Sequence, residues 1–143
     1  MPELGEMEQR LLSELEEPGD MDAPTLLSET TACTGDMSEI YALQAALTAL
    51  VEADLVRASE PRPPPVRRHD MPKEASLAAI ADLAWRVLFN RDDRHWSGTR
   101  QPWLEIFLTD AGRTAAEDVL RRHDGYRWWD ADWMRRFDQF GTG

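Results

Sequence analysis

The chain has 143 residues, with 27 acidic and 16 basic side chains and a formal net charge of −11. This length and a 42% hydrophobic content suit one core of ordinary size, so we expect a single domain over residues 1–143. Its sequence contains no uncharged apolar run of membrane-spanning length, and its first residues are acidic where a signal peptide would be basic. We therefore expect a cytoplasmic protein without a membrane partner.

Two helices are predicted in the first 35 residues. Apolar residues recur at helical spacing between Glu3 and Glu16, and Pro18 ends this helix. Asp22 can cap a second helix, which Gly35 would end.

The third predicted helix starts at Asp36, which forms a capping-box pattern with Glu39, and its apolar period continues to Ala53. One face forms an apolar stripe of Ile40, Leu43, Leu47, Leu50 and Val51. The opposite face carries Ser38, Tyr41, Ala42, Ala45, Thr48, Ala49 and Glu52. A helix that reads DNA normally offers Arg, Lys, Asn or Gln there, so this alanine-rich face favours packing.

A strand, a linker and a fourth helix are predicted next. The helical period breaks at residues 55–58, where apolar and polar residues alternate as in a short strand. Four prolines within residues 61–65 indicate an extended linker. A helix then runs from about Lys73 to about Phe89, with an apolar arc that Trp85 makes wide enough for two contact surfaces.

The remaining elements are a loop, a strand and helices. Residues 90–101 are polar and are predicted as a loop, and residues 103–108 suggest a second strand. Thr109 can cap the next helix, whose last turn places basic residues 121–123 at the negative end of the helix dipole.

This order of elements resembles a winged helix-turn-helix. Residues 46–59, ALTALVEADLVRAS, look like the end of a recognition helix entering the wing in MarR-like and PadR-like bacterial regulators. Residues 107–120, FLTDAGRTAAEDVL, are similar to the segment that leads from their wing into the following helix. The resemblance implies a mainly α fold, with a three-helix core, a short β-wing, a helical insertion and C-terminal helices.

The resemblance also divides the domain. Residues 1–59 would form the helix-turn-helix core and first wing strand, residues 60–102 the proline-rich segment and inserted helix, and residues 103–143 the second wing strand and C-terminal helices. The distance between the strands exceeds an ordinary hairpin, so either the wing carries an insertion or one strand is wrong. An irregular helical bundle is the alternative fold. The family usually has glycine after the recognition helix; this chain has Asp54 there, which can still adopt the left-handed cap conformation at some cost.

Proteins that resemble this chain are commonly dimeric, and most bind operator DNA while some bind proteins. Residues 1–56 hold one basic side chain against thirteen acidic ones, so charge disfavours DNA on the first half of the chain. If DNA binds, the candidate contacts are Arg57, Arg62, Arg67 and Arg68 around the proline segment, with Tyr41 and Thr48 on the third helix. Alternatively, these arginines keep a loop solvated or pair with acids.

The C-terminal residues are rich in aromatic side chains that would line one side of a helix. We expect a homodimer whose interface contains Trp85, Trp129, Trp133, Phe137 and Phe140. The alternative is that the aromatic stripe packs on its own core.

No chemistry is indicated. The three histidines are widely spaced without partners at ligand spacing, so we expect no metal site, and no catalytic motif or cofactor-binding loop is recognisable. Cys33 is expected to be a small buried side chain and not a redox sensor.

These features leave two functional hypotheses, both for a non-enzyme. The first is a small bacterial transcription regulator that binds DNA. The second is an acidic winged-helix module that binds a protein partner and does not bind DNA directly.

Overall fold

The computed structural model describes residues 3–61, 68–99, 103–123 and 127–130. The elements in these residues are, in order, α1 (Glu6–Glu16), β1 (Asp20–Asp22), α2 (Ala23–Thr30), α3 (Met37–Glu52), β2 (Val56–Pro61), β3 (Arg68–Asp70), α4 (Lys73–Ala81), α5 (Leu83–Arg86), β4 (Val87–Asn90), β5 (His95–Gly98), β6 (Glu105–Leu108) and α6 (Asp110–His123).

Four of the strands form one antiparallel sheet in the order β1–β6–β2–β3. The two strands predicted on either side of residues 60–102 are direct neighbours, because Val56 pairs with Leu108 and Ala58 with Ile106. The segment between them is therefore an insertion, and neither strand was misassigned. β1 was not predicted, since its three residues are too few to show an alternating pattern.

Leucine-rich faces of α1, α2 and α3 build the core together with the sheet. The predicted apolar stripe of α3 is confirmed: each of its five residues is at most 2% exposed. α6 packs along α1, where the His123 ring nitrogen lies 2.7 Å from the Gln9 amide oxygen. The architecture is a helical core with small antiparallel sheets, and its strand content exceeds that of the mainly α fold we predicted.

The first helix ends where predicted, and side-chain caps begin the next two. Asp22 accepts a hydrogen bond from the Thr25 N–H at 2.9 Å, and Asp36 accepts one from the Ser38 N–H at 2.8 Å. The predicted end of α2 at Gly35 is wrong, because the helix stops at Thr30. The next residue, Thr31, is extended, with φ −119° and ψ 173°, which breaks the helical ladder.

The turn from α3 into β2 has the conformation that the resemblance implied. Asp54 has φ +63°, in the left-handed region. Thr109 joins this turn to α6, since its hydroxyl donates to the Asp54 carbonyl at 2.7 Å and accepts from the Gly112 N–H at 3.0 Å. A Cβ atom at residue 112 would collide with the Leu55 carbonyl oxygen, so glycine permits this close approach. The predicted Thr109 cap is confirmed.

The predicted fourth helix is correct only in its first half. α4 ends at Ala81, α5 is a single turn, and Val87–Asn90 is a strand. The predicted loop at residues 90–101 is also wrong, because His95–Gly98 pairs with Val87–Asn90 as a hairpin. Contacts between the strands and with the core override the local preference for helix that the spacing indicated. One of these contacts is the edge-to-face packing of Phe89 on Trp96, with 5.1 Å between the ring centroids.

Candidate interaction surface

The outward face of α3 is partly covered by the insertion. The Gln44 side-chain amide donates to the Ile80 and Ala81 carbonyls, both at 3.2 Å, which attaches the end of α4 to α3. A shallow groove of about 680 Å³ lies between the two helices and is lined by both Tyr41 and Thr48. Tyr41 is 58% exposed and Thr48 is half-buried. Tyr41 and Thr48 therefore lie together on the outward face of α3, one side of which is covered by the end of α4.

Arg57, another predicted DNA contact, is held by its own chain. Its guanidinium donates to the Val51 carbonyl at 3.1 Å and the Val56 carbonyl at 2.8 Å, and it pairs with Asp54 at 2.6 Å. The Lys73 ammonium binds the Glu52 carbonyl at 2.9 Å and also pairs with Asp54. The hydrogen bond from Arg57, and then that from Lys73, lower the pKa of Asp54. Both cations therefore neutralise the C-terminal end of α3.

The other predicted DNA contacts are Arg62, Arg67 and Arg68. Arg62 and Arg67 lie outside the described residues. The backbone of Arg68 lies in β3 opposite Pro61, and its side chain is outside the description.

Four large apolar side chains of the described structure are exposed, two on α3 and two in the segment from α5 to β4. They are Met37 at 45%, Tyr41 at 58%, Trp85 at 84% and Leu88 at 60% exposure. Met37 and Tyr41 lie one turn apart on α3, Trp85 is on α5 and Leu88 is on β4. We call this set the apolar surface. Only Trp85 was predicted as an interface residue; Leu88 could have been found only after residues 87–90 were recognised as a strand.

The β4–β5 hairpin beside this surface is held by buried polar groups. Glu39, 8% exposed, accepts hydrogen bonds from Trp96 Nε1 and from the Thr34 and Gly35 N–H groups, all at 3.1 Å. Glu39 therefore does not complete the predicted capping box with Asp36, because its carboxylate binds the preceding loop and the hairpin. The Ser28 hydroxyl of α2 accepts the Trp96 N–H at 2.8 Å, which fixes β5 against the core.

Among the predicted dimer residues near the C-terminus, Trp129 lies against its own chain. Its indole N–H donates to the Glu29 carbonyl at 3.3 Å, and the Arg10 guanidinium lies 5.6 Å from its ring centroid. Trp133, Phe137 and Phe140 lie outside the described residues. A dimer interface through these aromatic residues stays a prediction.

Cys33 is half-buried, and its thiol donates to the Ser28 carbonyl at 3.2 Å. Burial is the main cause that raises the pKa of this thiol. Within the described ranges, no three His, Cys, Asp or Glu side chains are grouped so that they could hold a metal ion. None of the described helices combines the length and apolar character that crossing a bilayer requires.

No protein-family model, curated protein or solved structure matches this chain.

Proposed function

We propose that this chain is a winged-helix-like module that binds a protein partner through the apolar surface. The observation that carries the proposal is the exposure of Met37, Tyr41, Trp85 and Leu88 around a helix whose outward face has no cation. Exposed aromatic and methionine side chains are enriched at protein interfaces, and two of these residues, Met37 and Leu88, line the same cleft.

The order and pairing of the elements support the winged-helix part of the proposal. Three helices are followed by β2 and, after the insertion, by β6 and α6, while β1 and β2 flank β6 in the sheet. This arrangement agrees with the resemblance of residues 46–59 and 107–120 to MarR-like and PadR-like regulators. In such a fold α3 has the position of the recognition helix.

The charge of the chain and the covering of α3 by α4 favour protein over DNA as the partner. Affinity for duplex DNA depends largely on Lys and Arg side chains that neutralise its phosphates. α3 holds no Lys or Arg, α4 covers one of its flanks, and the nearby cations Arg57 and Lys73 are bound to Asp54 and to α3 carbonyls. A net charge of −11 adds long-range repulsion.

DNA binding as a transcription regulator is the second candidate, and the position of α3 in the element order favours it. Positive charge would then have to come from Arg62, Arg67 and Arg68 of the proline-rich segment.

In-cell photo-crosslinking tests the leading proposal. A photoreactive amino acid replaces Tyr41 in one variant and the exposed Glu117 of α6 in the control. We expect a discrete protein adduct from position 41 and not from position 117. Equal adduct patterns from both positions, or an adduct with nucleic acid at position 41, would count against a protein-binding role for this surface.

A further inference from the structure

We propose that the partner supplies an extended peptide with alternating apolar residues and an acidic end, which adds as a third strand along β4. This inference rests on the proposed function, because it specifies how a protein partner would use the apolar surface. Strand addition to an open sheet edge is a recurring mode of peptide recognition, in which backbone hydrogen bonds provide affinity and alternate side chains provide specificity.

The hydrogen-bond register leaves one edge of β4 open. The Thr99 N–H donates to the Arg86 carbonyl at 3.0 Å, and Val87 pairs with Gly98 in the antiparallel hairpin. Because bonded and non-bonded pairs alternate, Leu88 is the next residue bonded to β5, and the N–H and C=O groups of Val87 and Phe89 point away from it. Val87 is only 6% exposed and directly follows the last turn of α5, so the accessible part of this edge is at Phe89, whose N–H and C=O have no hydrogen-bond partner among the described residues.

A cleft of about 580 Å³ runs beside this open edge. Three successive residues of β4, Val87, Leu88 and Phe89, line it, whereas a cleft over one face of a strand would be lined by every second residue. The opposite wall is the first part of α3, with Met37 and Ile40. An added strand would therefore find backbone partners on one side and apolar side chains on the other.

The charge of the cleft selects an acidic peptide end. Arg91 and Arg94, in the turn between β4 and β5, line the cleft, and none of its lining residues is acidic. Neither guanidinium has an ion-pair partner among the residues that the structure describes. The Asn90 side-chain oxygen accepts the Asp92 N–H at 3.0 Å, which orders the turn that carries both arginines. A carboxylate next to the strand would meet two free donors.

Selection from a displayed library of random twelve-residue peptides on the full chain tests the inference. We expect enriched peptides to alternate apolar residues and to end in Asp or Glu. The strongest peptide is then made in two N-methylated forms, each methylated at alternate residues, because only every second N–H of an added strand faces β4. One form should lose about tenfold or more in affinity and the other should keep it.

Variants of the chain supply the second readout. The double variant Arg91→Glu/Arg94→Glu should weaken peptide binding at least about tenfold, while the matched control Arg121→Glu on α6 should leave it unchanged.

Equal sensitivity to both methylation patterns would overturn strand addition but would leave the proposed function intact, as peptides would still bind the apolar surface. Failure to enrich peptides above a selection on Leu88→Asp would contradict both. Dissociation of a dimer of the chain by the selected peptide would identify a second copy as the natural occupant and overturn a foreign partner.

Discussion

Arg127 forms a bidentate ion pair with Glu14, a carboxylate on α1 whose side chain is fully buried. The two oxygens lie 2.7 and 3.1 Å from Arg127 Nε and Nη2. The same guanidinium pairs with Glu29 of α2 at 3.0 Å. A single side chain at the C-terminal end of the described residues therefore connects two core helices and compensates a buried negative charge.

Arg127→Ala should destabilise the fold strongly. Removing one partner of a buried ion pair leaves the other charge unpaired, and we expect a loss of about 3 kcal/mol in unfolding free energy, measured by urea denaturation at neutral pH. The double variant Glu14→Gln/Arg127→Ala should recover part of the loss. Arg121→Ala, which removes an exposed pair with Asp118, is the control and should cost less than about 1 kcal/mol. A similar cost for both arginine variants would contradict this role of Arg127.

Stability should also depend on the titration of Glu14. Burial raises the pKa of this carboxyl above its ordinary value of 4.5, although Arg127 acts in the opposite direction. The folded state then binds the proton more tightly than the unfolded state, so the contribution of Glu14 to stability falls as pH rises above 4.5. Asp54, whose pKa is lowered from 3.8, acts oppositely and loses its contribution as pH falls below that value. As pH is raised above 4.5, the urea midpoint should decline less for Glu14→Gln than for the wild type. Parallel curves for the two proteins would exclude the effect.

Cys33 should react slowly with thiol reagents in the folded protein. Its raised pKa reduces the thiolate fraction, and its side chain is partly buried. Cys33→Ala should cost on the order of 1 kcal/mol in unfolding free energy, because the cavity is small, and it should leave partner binding unchanged. Reaction as rapid as that of a free thiol, followed spectroscopically, would instead indicate an accessible reactive group.

Light scattering tests the predicted homodimer and should give twice the mass of one chain. Trp85, 84% exposed, belongs to the apolar surface, so Trp85→Ala should leave the mass unchanged and weaken binding of the partner instead. Trp129→Ala should act mainly on stability, since Trp129 packs against α1 and α2 of its own chain. A monomer at high protein concentration would contradict the dimer.

Local signals in the sequence were sufficient for part of this structure. The stripe on α3, the left-handed Asp54 and the Thr109 cap depend on residues close in sequence, and each was predicted correctly. The β4–β5 hairpin was missed because residues 77–88 keep helical spacing, while the contacts that make residues 87–90 a strand come from His95–Gly98 and from α2. Tertiary context overrides such local preferences.

The candidate surface was less accessible to sequence reasoning. Arg57 was predicted to be available for phosphate, although the spacing of Asp54 and Arg57 could have indicated a local ion pair across the turn. Glu39 bonds to Trp96, 57 positions away in the chain, and no local pattern contains that information. The open edge of β4 became visible only with the strand register.

Duplex DNA retention on a filter at low salt separates the two functional candidates. We expect no retention even under these conditions, where phosphate attraction is strongest, because α3 carries no Lys or Arg and the cations at its C-terminal end, Arg57 and Lys73, are already paired with Asp54. Retention that is abolished in the variant Arg67→Glu/Arg68→Glu would support the regulator instead. The affinity for DNA should then fall steeply as the salt concentration rises. Tyr41→Ala or Thr48→Ala would then alter sequence preference more than overall affinity.

The most direct measurement is the affinity of the protein captured at position 41 for matched variants of the purified chain. Leu88→Asp introduces a charge into the apolar surface, and Ala111→Asp introduces the same charge at an exposed position on α6. We predict that titration calorimetry gives at least about tenfold weaker binding for Leu88→Asp and wild-type affinity for Ala111→Asp, with both variants folded. Equal affinity of the two variants would show that the partner does not bind the apolar surface and would contradict the proposed function.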